Sequence, residues 1–79
     1  MRVTVTCLGM LAELASSERV DLLDVHSVDD VFAALIAKFP TIEPLAGSLA
    51  LATHEAYLRC DDPLEDGMAL LLVPPVSGG

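Results

Sequence analysis

The chain predicts an α+β fold in which a mixed sheet wraps round one main helix. Three observations carry this reading. Val3, Val5 and Cys7 alternate with Thr4 and Thr6, the period of two of a strand with one buried face. Val28, Val31, Phe32, Leu35, Ile36 and Phe39 fall at i, i+3, i+4, i+7, i+8 and i+11, one continuous apolar stripe along a helix. Met68-Ala69-Leu70-Leu71-Leu72-Val73 is apolar throughout, as expected of a central strand buried on both faces.

The first strand spans about residues 2–8, and Gly9 breaks it. Leu11, Leu14 and Ala15 fit a short helical turn that ends at Ser16-Ser17. A second strand-like segment covers residues 19–25, and its alternation slips at Leu22-Leu23, where a bulge or a strand end belongs. Ser27 opens the main helix. Asp29 and Asp30 suit its positive N-terminal end, and Ser27 with Asp30 approximates a capping box. Lys38, the only lysine, sits in the last turn, and Pro40 stops the helix.

Residues 41–48 read as a loop or short helix containing Pro44 and Gly47. Residues 49–52 resemble a strand that turns at Thr53-His54-Glu55 into Ala56-Tyr57-Leu58-Arg59-Cys60, a hairpin. Asp61-Asp62-Pro63 and Glu65-Asp66-Gly67 are turn chemistry on either side of Leu64. A hairpin at each end with one helix between places the first and last strands side by side and parallel, a β-grasp arrangement. The globular domain is expected over residues 1–73, with an extended tail over residues 74–79.

Seventy-nine residues make one domain, near the lower size limit for a self-sufficient core. With 53% hydrophobic residues and only three aromatics, that core is aliphatic. The mean hydropathy of +0.58 is high, so part of the apolar surface is available for a partner. No apolar run approaches the roughly 20 residues of a membrane span, and the N-terminus lacks a signal peptide's apolar centre. A soluble, cytoplasmic protein without a membrane partner is the expectation.

Twelve acidic against four basic residues give a formal charge of −8. Nucleic acid is therefore excluded as a partner class, because its binding relies on Lys and Arg. A protein with a basic rim around its active site fits better, although acidity also serves simply to maintain solubility. Cys7 and Cys60 form neither a disulfide framework nor a zinc motif, and both read as small buried hydrophobes within strands. His26 and His54 have no neighbour at ligand spacing, so no metal site is expected.

The end of the chain is its most distinctive segment. Pro74-Pro75-Val76-Ser77-Gly78-Gly79 comes directly after the last apolar run. The prolines end the strand and stiffen the backbone beyond it into an extended arm. Val76 and Ser77 add little bulk, and Gly78 and Gly79 let backbone approach backbone closely. Six extended residues reach roughly 20 Å. Such an arm could insert its terminal carboxylate into a narrow cleft of another protein, the alternative being a loose chain end.

The β-grasp order, Leu11-x-Glu13-Leu14 after the first strand, the Asp66-Gly67 turn and the Pro-Pro-Val-x-Gly-Gly end together resemble the small-subunit family of molybdopterin synthase, ubiquitin-like sulfur carriers. The resemblance extends over essentially the whole chain. Leu71-Leu72-Val73 stands where that family often has aromatics, and Ala12 where it often has a basic residue.

The resemblance implies that an ATP-dependent activating enzyme adenylates the terminal carboxyl of Gly79, after which sulfur displaces AMP and leaves a thiocarboxylate. The sulfur then passes to cyclic pyranopterin monophosphate in the active site of the large synthase subunit, within a heterotetramer, and builds the dithiolene of molybdopterin. Gly79 would carry the reacting group and Gly78 would grant access, while Pro74, Pro75, Val76 and Ser77 position the arm. The carrier itself would be non-catalytic and hold no permanent cofactor, ATP being used by the activating enzyme. The alternatives are a sulfur carrier of thiamine or cysteine synthesis, and a ubiquitin-like interaction domain without carrier chemistry.

Overall fold

The computed structural model describes residues 1–74. In chain order these are β1 (Val3–Cys7), α1 (Met10–Leu14), β2 (Arg19–Leu22), α2 (Val28–Lys38), a 3₁₀ helix (Pro40–Ser48), β3 (Ala50–Ala52) and β4 (Met68–Val73). The four strands form one mixed sheet in the order β2-β1-β4-β3. β1 and β4 run parallel, with Val3 opposite Met68 and Cys7 opposite Leu72. Both outer pairs, β1–β2 and β3–β4, are antiparallel. This is the ubiquitin-like β-grasp architecture expected from the order of elements.

The alternation in β1 sorts its side chains as predicted. Val3, Val5 and Cys7 face the core while Thr4 and Thr6 are half-exposed. Val20, Leu22, Leu51, Leu70 and Leu72 share the inner face with them, and α2 closes the core with Val28, Val31 and Leu35. Each such buried aliphatic side chain contributes about 1.5–3 kcal/mol relative to exposure. Phe32, Ile36 and Phe39 pack at the margin of this core rather than inside it.

Ser27 caps α2: its Oγ accepts the Asp30 N–H at 3.1 Å. The Asp30 carboxylate reaches back one residue beyond the cap and accepts the His26 N–H at 2.9 Å. One orphan donor of the first turn and the N–H of the residue just before the cap are thereby satisfied. After Pro40 the chain continues as a 3₁₀ helix rather than a loop. Its Ile42 is buried in the core, and Thr41 Oγ1 donates to the Leu14 carbonyl at 2.8 Å. Gly67, at φ 81°, donates to the Arg2 carbonyl at 2.7 Å, while Asp66 accepts the Arg2 N–H at 2.8 Å. The predicted Asp66-Gly67 turn thus fastens the start of β4 to the start of β1.

At Leu22-Leu23, where the alternation slips, the structure has the strand end and not a bulge: β2 stops at Leu22, and Asp24 adopts φ 59°, outside the extended region a ladder requires. Three expectations are corrected. Residues 56–60 do not form a hairpin arm: one isolated bridge joins Ala52 to Tyr57. Thr53 Oγ1 accepts the N–H groups of Glu55 and Ala56, and Asp62 accepts that of Arg59. These local bonds bend the backbone where a ladder would need it straight. Cys60 accordingly lies in a turn and is exposed, whereas Cys7 is buried as expected. β4 does lie at the centre of the sheet, but only its inner face is closed. On the other face Ala69 is exposed, and Leu71 and Val73 are half-buried.

Candidate functional site

The candidate site begins where β4 ends. Its strand position is fixed on both sides by backbone bonds, Ala50 pairing with Val73 on one flank and Cys7 with Leu72 on the other. Leu8 extends the second ladder by donating its N–H to the Leu72 carbonyl at 3.1 Å. Pro74 comes next, half-buried. The root of the C-terminal arm is therefore held by the middle of the sheet rather than by an edge.

Pro74 is the one predicted site residue among those described. Pro75, Val76, Ser77, Gly78 and Gly79 lie outside the described residues.

The outer face of the sheet is divided by chemistry. On β1 and β2 it carries Thr4, Thr6, Arg19 and Asp21, with Thr4 Oγ1 donating to the Asp21 carboxylate at 2.8 Å. On β4 and β3 it carries Ala69, Leu71, Val73, Ala50 and Ala52. Beside this apolar half, residues 53–57 arch out of β3 and present Tyr57, 66% exposed. A groove lined by Leu8, Ala52, His54, Tyr57, Leu71 and Val73 runs between the arch and the end of β4. An exposed aromatic beside aliphatic side chains is the composition of a protein-contact surface. It adjoins the root of the arm.

Composition indicated apolar surface left for a partner without locating it, and the positions of Leu8 and Tyr57 beside the outer face of β4 were not foreseen. The sole tyrosine in an aliphatic chain was the available signal. Its position over the sheet depends on the Thr53 turn, which periodicity does not reveal.

The reactive candidates elsewhere are few. Cys7 points into the core, and burial pushes its thiol pKa up, which disfavours the nucleophilic thiolate at neutral pH. Among the described residues no three His, Cys, Asp or Glu side chains gather as a metal set. Among them, too, no helix is long and apolar enough to cross a membrane.

The chain is 28% identical to a molybdopterin synthase sulfur carrier subunit from Chlamydomonas reinhardtii over 83 aligned residues, covering all of both chains. Its fold matches SAMP1 from Haloferax volcanii with a TM-score of 0.82 at 24% identity, again over all of both chains. It also matches, with a TM-score of 0.70 at 24% identity and complete coverage of both, a chain from the Helicobacter pylori complex of subunits 1 and 2 of molybdopterin-converting factor. At such identities the structural likenesses establish the β-grasp fold alone. The ThiS family model matches residues 5–79, nearly the whole chain with its Gly-Gly end, and the chain belongs to the ThiS family.

Proposed function

We propose that this chain is the sulfur carrier subunit of a molybdopterin synthase, with the terminal carboxyl of Gly79 as the reacting group. The observation that carries the reading is the Pro-Pro-Val-Ser-Gly-Gly end emerging directly from the central strand of a β-grasp domain. The full-length likeness to the Chlamydomonas subunit supports the choice of pathway.

The chemistry is set by the limits of a carboxylate. It is a poor acyl electrophile, so a carboxylate oxygen first attacks the α-phosphate of ATP, giving an acyl-adenylate and pyrophosphate. A sulfur nucleophile held by the activating enzyme then attacks the acyl carbon. AMP departs with the C–O bonding pair; hydrosulfide leaves a thiocarboxylate directly, whereas a persulfide donor leaves an acyl disulfide whose S–S bond a thiol reductant must cleave, the thiol being oxidised to a disulfide. Thiocarboxylate sulfur is ionised at neutral pH and more nucleophilic than carboxylate oxygen. In the large subunit it forms a C–S bond to a carbon of cyclic pyranopterin monophosphate as that carbon's bond to oxygen breaks. Water then cleaves the acyl C–S bond, leaving the sulfur on the pterin and Gly79 as the carboxylate; a second carrier repeats the transfer. General acid, base and any metal belong to the partners; the carrier supplies reach, narrowness and a docking face. Leu71, Val73 and Tyr57 are the contacts this reading assigns to that face.

Intact-protein mass after incubation with ATP, an activating enzyme and a sulfur donor tests the carrier chemistry. An oxygen-to-sulfur mass increase, absent when Gly79 is deleted, is the expected result. No increase in the full chain would leave a ubiquitin-like interaction domain as the better reading. Conversion of cyclic pyranopterin monophosphate to molybdopterin by the thiocarboxylated chain and the large subunit distinguishes this pathway from thiamine or cysteine synthesis.

A further inference from the structure

We infer that the free edge of β2 docks on the same edge of a second copy of this chain, the two strands running antiparallel about a two-fold axis at Val20. The inference goes beyond the carrier reading and stands without it, since β1 separates β2 from the strand that bears the arm.

β2 is an outer strand of the sheet, and among the described residues no strand pairs with its far side. The ladder decides which backbone groups face that side. Cys7 N–H donates to the Glu18 carbonyl at 2.7 Å, and the register sets Val5 opposite Val20 and Val3 opposite Leu22. In an antiparallel pair, bonded positions alternate with unbonded ones. Glu18, Val20 and Leu22 therefore turn their amide and carbonyl groups to β1, while Arg19 and Asp21 turn theirs outward. An uncovered row of this kind is a template for another strand. No proline interrupts Arg19–Leu22, and Leu23 beside it is 67% exposed.

The charges on this edge select its partner. Symmetric registers that oppose outward-turned residues centre on Arg19, Val20 or Asp21. Centring on Arg19 or Asp21 sets that residue against its own copy, and like charges directly opposed destabilise a strand pair. Centring on Val20 sets Arg19 opposite Asp21 of the second copy, and the reverse. Each such pair exchanges both backbone bonds and also matches opposite charges. The Arg19 carbonyl already accepts from Ser17 Oγ at 2.9 Å, but its second lone pair remains for the new strand. The same register brings Glu18 of the second copy opposite Leu22, which lines a groove with Leu23, Ala34, Ala37 and Lys38. Lys38, the sole lysine of the chain, thereby gains an acidic neighbour. The interface is isologous, one patch serving both copies.

So short an edge makes a small contact, and a dissociation constant on the order of 0.1 mM is expected. Each copy carries a formal charge of −8, a repulsion that about 0.15 M salt screens beyond about 8 Å.

Sedimentation equilibrium of the full chain, from about 10 μM to about 1 mM in about 0.15 M salt, should show monomer converting to dimer. Arg19→Asp and Asp21→Arg should each weaken the dimer by about tenfold or more, and the double variant, which exchanges the two charges, should recover most of the loss. Both side chains are exposed, and thermal melts check that each variant is folded. Amide hydrogen exchange on the wild type needs no variant. The N–H groups of Arg19 and Asp21 should become protected as concentration rises, while that of Val20, bonded to β1 throughout, should not change. A chain that stays monomeric to about 1 mM, or a dimer without that protection, would overturn the inference. So would a dimer that either folded single variant leaves intact, or that the folded double variant fails to recover. Gly79 enters none of these measurements, so the carrier reading is tested separately.

Discussion

Leu8 donates its backbone N–H to the carbonyl of Leu72 across 3.1 Å, joining the end of the first strand to the penultimate residue of the last. This one bond places the turn after β1 beside the root of the C-terminal arm. It also separates two neighbouring leucines by role. Leu72 faces the core and is 1% exposed; Leu71 faces outward and is half-buried.

Their alanine variants should therefore fail differently. Leu72→Ala leaves a cavity and is expected to cost about 2–5 kcal/mol, lowering Tm by roughly 4–8 °C per kcal/mol in a domain of this size. Leu71→Ala is expected to cost less than about 1 kcal/mol of stability. It and Tyr57→Ala should each weaken binding to the large subunit, by roughly tenfold for an anchor residue at a contact surface. Thermal melts and calorimetric titration separate the two effects. Unchanged affinity in both Leu71→Ala and Tyr57→Ala would remove the apolar half-sheet from the interface.

Gly78→Val tests the narrowness of the arm. The described core extends no further along the chain than Leu72, so the variant should melt with the wild type. Adenylation or sulfur transfer should nevertheless fall by tenfold or more, because a branched side chain must enter clefts that glycine fits. Normal turnover would show that neither partner's cleft is narrow at this position.

The entry to α2 is a local test of stability. Ser27→Ala removes the acceptor of the Asp30 N–H and is expected to cost about 1 kcal/mol. Asp30→Ala removes the acceptor of the His26 N–H and a favourable charge near the helix N-terminus. Both losses appear as a lower urea midpoint with unchanged slope.

The two cysteines should differ in reactivity. Cys60 is exposed and Cys7 buried, so a thiol reagent should modify Cys60 in the folded chain and reach Cys7 only on unfolding. Burial raises the folded pKa of Cys7 above its value of 9.0 in an unfolded chain. The unfolded state then loses the proton first as pH rises. Stability from this group is complete below the unfolded pKa and is lost as pH rises through the folded one. Denaturant midpoints measured from pH 7 to 10 should fall on the alkaline side in wild type, and fall less in Cys7→Ala. Equal alkaline slopes would assign the loss to other groups.

Strand β1, the capped helix α2 and the fold class were legible from periodicity and caps, because those signals are local: one apolar face every two residues or every 3.6. The Pro-Pro and Gly-Gly end was equally plain, since proline and glycine carry their backbone constraints wherever they stand. The slip at Leu22-Leu23 marked a break without telling a bulge from a strand end, and the chain alone could not show that residues 56–60 leave the sheet after a single bridge. In both places a side-chain acceptor or a positive φ competes with the ladder, and the outcome depends on what the neighbouring strand offers. The two halves of the outer face, with Thr4 and Asp21 on one side and Leu71 and Val73 on the other, exist only once β1 and β4 lie in parallel register. The same holds for the free edge of β2. Arg19 and Asp21 stand two apart in the chain as opposite charges, but the tertiary structure decides that their backbone groups turn outward, because the register that bonds Val20 to β1 leaves its two neighbours unbonded.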